Sequence, residues 1–384
     1  MKRYFPLFDA LRGVAAMMVL TFHVVLLTPR IGIGPFGRVV ETFGSLGVSL
    51  FFVISGFLLY RPFVAARAEG RPAPGIKDYL RRRALRIIPA YWVILTVLAI
   101  YPGVHFVGGF WRYYGFLQLY DDDTIIVGLP VAWSLCVEVT FYLALPLWAW
   151  ALRRAQVGAE LAVLAAVGLA GAALQVFAVS HDGYDTIART LLGQAPYFAV
   201  GMSCALLHAT ARAPRWVALR SELCWAGAAV ALVLLAWRVP PGGIFGSIRQ
   251  DELLGADGTA LRVALSVVFV ALVALPAVFG DEAGGLPRRF LAWRPVAWGG
   301  MVSYSVYLWH LPIAELLARP SVPEQFDAGG LNLVERVDVL TIPLLWYMTV
   351  TFTLVLAWAT FRWVELPFIR LAGARRAVRD EKEW

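Results

Sequence analysis

Long apolar stretches alternate with short charged segments along the whole chain. Each stretch approaches the roughly 20 residues that an α-helix needs to cross a bilayer. This pattern predicts an all-α polytopic membrane protein with about ten transmembrane helices. The predicted spans are 7–27, 44–60, 84–101, 131–151, 159–179, 190–208, 222–238, 261–280, 297–316 and 339–361.

Composition and charge extend this prediction. Hydrophobic residues make up 60% of the chain and the mean hydropathy is +0.68, far above the values of soluble domains. With the N-terminus inside, 24 of the 34 Lys and Arg residues fall on the cytoplasmic side and nine on the outer side, while Arg12 lies inside the first span. This asymmetry predicts that both termini are cytoplasmic. Because the basic residues are divided among loops, the net charge of +8 does not indicate a nucleic-acid partner.

The chain is expected to form one integral-membrane domain over residues 1–384. Its longest loops, 102–130, 239–260 and 317–338, are too short for an independent core, so no appended soluble domain is predicted. The first span has a basic start like a signal peptide, but its length, its ionisable residues and the lack of a small-residue cleavage site predict that it is retained. The five His residues are scattered among five segments without metal-ligand spacing, so no metal is predicted.

Arg12 and His23 are ionisable residues within the first span, and hydrocarbon tolerates such residues only when they face protein or water. At about 100° per residue their directions agree to within about 20°, and they stand roughly 16 Å apart along the helix axis. Asp9, one turn before Arg12, is placed to pair with it. A cation and an imidazole at opposite ends of one groove suit an elongated ligand with an anionic head. The alternative is an Arg that reaches the headgroups and a His that bonds to a neighbouring helix.

The fourth span contains a carboxylate, Glu138, with Ser134 and Tyr142 on the same helix face. The predicted topology puts Glu138 within about two turns of the outer surface, near the depth of His23. A carboxylate commonly supports a general-base His by fixing its tautomer and stabilising the imidazolium. We therefore expect Glu138 to orient His23. The alternative is a structural Glu–Ser–Tyr network between helices.

Arginines cluster at the inner end of the third span, at Arg81, Arg82, Arg83 and Arg86. Such clusters are usually explained by anionic lipid headgroups and membrane topology. Guanidinium groups also bind phosphates in bidentate geometry, so the cluster is a candidate site for a phosphorylated ligand.

Two further pairs of residues complete the candidate site. Ser55 and Gly56 lie near the inner end of the second span, where the glycine would allow the close approach of a ligand or of another helix. In the ninth span Ser303, Tyr307 and His310 share one face, with His310 toward the outside. This face would form a second wall of the site, or it would only pack against a neighbouring helix.

Together these motifs resemble the integral-membrane acyltransferase-3 family of acyl-CoA-dependent O-acyltransferases. The family's Arg and His separated by ten residues map onto Arg12 and His23, and its Glu after Trp-Ser-Leu maps onto Glu138. One minor departure is Cys136, where a small hydroxyl residue is common. The likeness is carried by Phe8–Ala16 leading to His23, Gly47–Leu58, Arg82–Pro89 with Tyr91-Trp92, Trp133–Glu138 with Phe141-Tyr142 and Pro146, and Ser303–His310.

The resemblance implies transfer of an acyl group, expected to be acetyl, from acyl-CoA to a hydroxyl of a carbohydrate such as an envelope glycan. The phosphates of acyl-CoA would bind Arg12 and the arginine cluster, and the thioester would reach His23, the general base. Ser55 and Gly56 are expected to contact the donor. The residues expected to contact the substrate are Ser134, Tyr142, Tyr307 and His310.

Several alternatives remain open at this point. The acceptor could instead be a macrolide-like small molecule, and an acyl-His intermediate could replace direct transfer. A transporter or flippase would also use intramembrane Arg, His and Glu. A non-catalytic membrane protein that senses a lipid or another ligand is a further alternative. The expected partners are the lipid bilayer, acyl-CoA and a hydroxyl-bearing glycan, and the expected location is the bacterial cytoplasmic membrane. The sequence does not indicate an oligomeric state.

Overall fold

The computed structural model describes residues 5–27, 35–125, 127–179, 181, 185–212, 217, 221–238, 247–280, 285–318 and 341–373. These residues form helices and no strand, which confirms the predicted all-α class. Eight of the helices are long and apolar enough to cross a membrane. The total of ten spans stays a prediction. So does the side of the two termini, since residues 1–4 and 374–384 lie outside the described residues.

The described helices are numbered here in chain order. They are α1 Pro6–Leu27, α2 Pro35–Ser45, α3 Gly47–Ala68, α4 Ile76–Ile100, α5 Phe110–Tyr114, α6 Trp133–Ala151, α7 Val157–Val179, α8 Asp185–Arg189, α9 Ala195–Ala209, α10 Ser221–Arg238, α11 Ser247–Phe279, α12 Leu286–Leu291, α13 Arg294–Ala318, α14 Thr341–Thr360 and α15 Leu366–Leu371. A π-helical turn, Phe361–Glu365, joins α14 to α15, and 3₁₀ turns lie at Gln118–Tyr120 and Pro130–Ala132.

Helix α11 differs from the sequence prediction, which placed a loop at 239–260. The helix begins at Ser247 and is interrupted at Gly255, whose φ of +64° breaks the helical path. A glycine adopts this left-handed conformation without a steric penalty. The rest of the predicted loop, residues 239–246, lies outside the described residues, as does 319–338 of the loop predicted at 317–338.

Helix α1 contacts α2, α3, α13 and α14. Its closest approach is to α13, where glycines face each other. A Cβ atom on Gly300 would lie 1.9 Å from the backbone oxygen of Asp9, and one on Gly13 would lie 2.8 Å from the Gly300 nitrogen. Small residues at such crossings allow membrane helices to pack backbone to backbone. This contact holds the polar residues of α1 beside those of α13.

Helices α3 and α9 pack in the same manner. A Cβ atom on Gly201 would lie 2.1 Å from the Val53 oxygen, and one on Gly56 would lie 2.6 Å from the Phe198 oxygen. Gly56 therefore serves the packing of α3 on α9. Of the two roles considered for this glycine, the structure supports the close approach of another helix, while its expected contact with the donor stays a prediction.

Candidate functional site

A cavity between α1, α3, α4, α6 and α13 collects polar residues from five of the stretches that the sequence singled out. It encloses about 630 Å³ of space not filled by protein atoms, part of it open to solvent. Phe51, Phe52, Ile87 and Leu135 form its apolar wall. Its polar lining consists of Arg12, Ser55, Arg83, Arg86, Ser134, Glu138, Tyr142, Ser303, Tyr304 and Tyr307.

The arginine cluster divides between this cavity and the surface. Arg83 and Arg86 line the cavity, whereas Arg81 and Arg82 are exposed. Arg81 donates to the carbonyl of Leu371 at the end of α15, with an N···O distance of 3.0 Å. The cavity therefore supports a donor-binding role for Arg83 and Arg86, and the expected donor contact of Arg81 and Arg82 stays a prediction. The helical period explains the division, because residues three apart share a face and their neighbours do not.

The cavity has an excess of positive charge. The guanidinium groups of Arg12, Arg83 and Arg86 lie around the single carboxylate of Glu138. Asp9 forms the expected ion pair with Arg12 at 3.8 Å, with both side chains partly exposed. The Nε atom of Arg83 is buried and has no hydrogen-bond partner within the described part of the chain. Cations that are partly desolvated and unsatisfied attract an anionic ligand.

Glu138 takes a different position from the one that the sequence suggested. Its carboxylate accepts hydrogen bonds from Ser55 at 2.8 Å and from Tyr142 at 2.6 Å. It thus lies on the cavity wall with the arginines rather than beside His23. The structure thus supports the interhelical Glu–Ser–Tyr network, which was the alternative for this face, and the orientation of His23 by Glu138 stays a prediction.

The partner of His23 comes from α13. The Nε2 atom of His310 lies 3.1 Å from Nδ1 of His23, and the ring centroids are 4.9 Å apart. Both rings are buried, His310 completely. The sequence had placed both histidines toward the same side of the membrane, but it had not paired them.

The backbone contacts of the two rings give a consistent tautomer assignment. Nδ1 of His310 lies 3.2 Å from the Val306 oxygen, and Nδ1 of His23 lies 2.9 Å from the Val19 oxygen. Because a carbonyl can only accept, both Nδ1 atoms carry the proton. The one Nδ1–H of His23 is then shared between the Val19 oxygen and Nε2 of His310, and Nε2 of His23 carries the lone pair that can take up a proton.

Tyr307 connects the cavity with the histidine pair. It lines the cavity, and its ring centroid is 5.6 Å from that of His310, one turn further along α13. Its hydroxyl donates to the Val131 oxygen at 2.8 Å and accepts from Ser134 at 2.7 Å. The bonds to α6 and to the turn before it therefore hold the tyrosine between the arginine end of the site and the histidines.

Two residues near the site were missed by the sequence analysis. Tyr304 lines the cavity and donates to the Ile87 oxygen at 2.8 Å, next to Arg86 in the chain. Glu365, in the π-helical turn packed on α4, accepts a hydrogen bond from Ser305 and is buried. For Glu365 the sequence contained a usable signal, because it is an acidic residue at the end of an apolar span. Such residues are rarely placed in hydrocarbon without a partner.

The helix bundle and its buried polar cavity define an integral-membrane protein with a ligand site inside the bundle. A profile of the acyltransferase-3 family, described as an acyltransferase domain, matches residues 6–363. The chain belongs to this family. No solved structure matches the chain significantly.

Curated relatives agree with this assignment. The chain is 23% identical over 397 residues to the peptidoglycan O-acetyltransferase OatA of Listeria monocytogenes, which covers 95% of the chain and 56% of the relative. It is 25% identical over 408 residues to the putative peptidoglycan O-acetyltransferase YrhL of Bacillus subtilis, covering 100% and 58%. A putative O-acetyltransferase of Staphylococcus aureus is 22% identical, covering 95% and 57%. The chain thus spans a little over half the length of these relatives.

Proposed function

We propose that this chain is an integral-membrane O-acyltransferase that moves an acyl group, acetyl in the first instance, from acyl-CoA to a hydroxyl of an envelope glycan. Family membership supports acyl transfer, and the names of the relatives support O-acetylation of a peptidoglycan-like acceptor. The observation that carries the proposal is a cationic cavity joined through Tyr307 to a buried histidine pair. The glycan acceptor is supported by the names of the relatives alone, and these relatives are longer proteins than this chain.

The donor is proposed to bind with its phosphates at Arg12, Arg83 and Arg86. Hydrogen bonds between guanidinium and phosphate are charge-assisted and roughly twice as strong as neutral ones. A phosphate oxygen would satisfy the buried Nε of Arg83. The pantetheine arm would then extend along α1, and the roughly 16 Å between Arg12 and His23 suits its extended shape.

His23 is proposed to be the general base. Its Nε2 removes the proton of the acceptor hydroxyl, whose oxygen attacks the thioester carbonyl carbon. The C–S bond then breaks, and the leaving thiolate takes the proton back from Nε2. The acyl group has moved from sulfur to oxygen, and free CoA thiol is formed. General-base assistance of this kind contributes about 10²–10⁴-fold to the rate.

His310 takes the supporting role that the sequence analysis gave to Glu138. Its Nε2 accepts the hydrogen bond of His23 Nδ1–H, which fixes the ring orientation and stabilises the imidazolium as it forms. Glu138 is instead proposed to hold Ser55 and Tyr142 in place on the cavity wall and to offset part of the arginine charge. Ser134 holds the hydroxyl of Tyr307 at the acceptor end of the cavity.

The basic side of the bundle, with Arg83 and Arg86, is proposed to face the cytoplasm, where acyl-CoA is made. A bacterial cytoplasmic membrane satisfies this arrangement, because an envelope glycan then lies on the opposite side. The donor and acceptor would approach the site from different ends of α1.

The test uses purified full-length protein in detergent with acetyl-CoA carrying a labelled acetyl group. One arm contains an unmodified peptidoglycan fragment and a second arm contains a macrolide. We expect mass analysis to find the labelled acetyl ester on the glycan fragment alone. Acetylation of the macrolide alone would overturn the proposed acceptor. Folded protein that neither transfers nor hydrolyses acetyl-CoA would overturn acyl transfer and favour a transporter.

A further inference from the structure

A second cavity lies between the C-terminal ends of α3 and α6 and the segment that leads into α4. It encloses about 1,020 Å³ of space, part of it open to solvent, and shares no lining residue with the site described above. Its wall combines three arginines, Arg67, Arg71 and Arg153, with the large apolar residues Phe63, Ile76 and Trp150. A ligand that fits this wall has an anionic part and an apolar part.

A buried network fixes the first arginine. Glu160, which is fully buried, accepts hydrogen bonds from Arg67 and Tyr60. Arg67 also donates to the Leu152 oxygen at 2.6 Å. These bonds place the guanidinium of Arg67 at the cavity wall and compensate its charge. Arg67 therefore shapes the site, and the attraction for an anion must come from the other two arginines.

The other two arginines lie at the exposed rim of the cavity. Arg153 stacks over the ring of Trp150, with the guanidinium carbon 4.5 Å from the ring centroid, and donates to the Trp150 oxygen. This contact brings no negative charge to Arg153, and within the described residues no carboxylate forms an ion pair with it. Arg71 pairs with Glu69 on the surface, where such pairs contribute little and exchange readily for a stronger anion.

The apolar part of the wall faces outward as well. Trp150 is 60% exposed and Ile76 is 55% exposed, and Leu147, one turn before Trp150 on the apolar part of α6, is 67% exposed. Tryptophan beside arginine is typical of the depth at which lipid headgroups meet acyl chains. A soluble phosphate compound would leave this apolar surface in contact with water, whereas the acyl chains of a lipid would cover it.

We propose that this cavity binds the headgroup phosphate of an anionic phospholipid from the adjoining leaflet. Arg71 and Arg153 hold the phosphate, and Phe63 and Trp150 pack against the glycerol and the first methylene groups. Basic pockets between membrane helices suit such headgroups, and each arginine near them contributes roughly fivefold in affinity. The site needs no acyl transfer, so it stands apart from the proposed catalytic function.

The test measures lipid binding to the detergent-purified full chain by native mass spectrometry. The probes are phosphatidylglycerol and phosphatidylcholine of equal chain length, with inorganic phosphate as competitor. The site variant is Arg71→Gln/Arg153→Gln. The control, Arg212→Gln/Arg289→Gln, removes the same net charge at exposed arginines elsewhere. Arg67 is left intact because its loss would strand the buried Glu160.

We expect saturable binding of one phosphatidylglycerol, at least about tenfold tighter than that of phosphatidylcholine. The site variant should weaken it about tenfold or more, and the control variant should leave it within about twofold. Equal weakening in both double variants would reduce the effect to general charge and overturn the proposal. Competition by millimolar inorganic phosphate would also overturn it, because the cavity would then bind a free phosphate group without a lipid.

Discussion

Replacement of His310 by Leu tests the role of the histidine pair. Leucine fills much of the same space but removes Nε2 of His310, the acceptor that lies 3.1 Å from His23 Nδ1 and shares its proton with the Val19 oxygen. A hydrogen bond to a group that becomes charged is worth about 1.5–3 kcal/mol. Since each 1.36 kcal/mol changes a rate about tenfold, kcat should fall about 10- to 150-fold. The KM for acyl-CoA should change little, because the arginines that would bind its phosphates lie elsewhere in the cavity.

Initial rates are measured with labelled acetyl-CoA while the concentrations of donor and acceptor are varied in turn, which separates kcat from KM. His310→Gln supplies an amide oxygen that can accept the same hydrogen bond, so its kcat should recover to within about tenfold of wild type. His208→Leu, on α9 beside Phe5 and Phe57, is the matched control and should keep wild-type kinetics. Equal kcat values for His310→Leu and His310→Gln would show that the hydrogen bond has no catalytic role.

Three further outcomes follow from the geometry. Arg83→Gln should raise the KM for acyl-CoA about tenfold or more through loss of a charge-assisted bond. Arg82→Gln, at an exposed position outside the cavity, should leave this KM unchanged. An equal rise in KM for both variants would contradict the division of the arginine cluster between cavity and surface. Gly300→Ala should lower the melting temperature in detergent, because its Cβ would lie 1.9 Å from a backbone oxygen of α1 and overpacking costs about 1–3 kcal/mol. Gly299→Ala is the control, because the nearest neighbour of its Cβ would be 3.9 Å away, and it should leave the melting temperature unchanged. Equal melting temperatures for Gly300→Ala and Gly299→Ala would refute the close crossing. In sealed vesicles of one orientation, acetyl-CoA should give product only from the basic side, and product from the other side would exclude the proposed route.

Helical periodicity predicted which residues of one helix share a face, and the structure agrees with these predictions. Arg12 reaches the cavity, and so do Ser134, Glu138 and Tyr142, which were placed on one face of α6 by their spacing. The all-α class followed from the length of the apolar stretches. These features depend on one helix at a time, and a single sequence contains that information.

The contacts between helices could not be obtained in this way. The depth of Glu138 was estimated from its distance to the start of a span, which gives the height along the axis but neither the rotation of α6 nor its neighbours. The structure turns this carboxylate toward Ser55. His310 pairs with His23 because α1 and α13 cross at glycines, and that crossing depends on the packing of the whole bundle. The spacing of residues within α13 gives no sign of it.

The most direct test of the account separates donor binding from chemistry in His23→Ala. Calorimetry measures the affinity for acetyl-CoA, and mass analysis of the glycan measures turnover. We expect binding within about threefold of wild type, since the cavity arginines are untouched, and a loss of turnover of about 10²–10⁴-fold. The exposed residue His181 provides the control, and His181→Ala should match wild type in both. Turnover near the wild-type rate in His23→Ala would contradict the proposed mechanism.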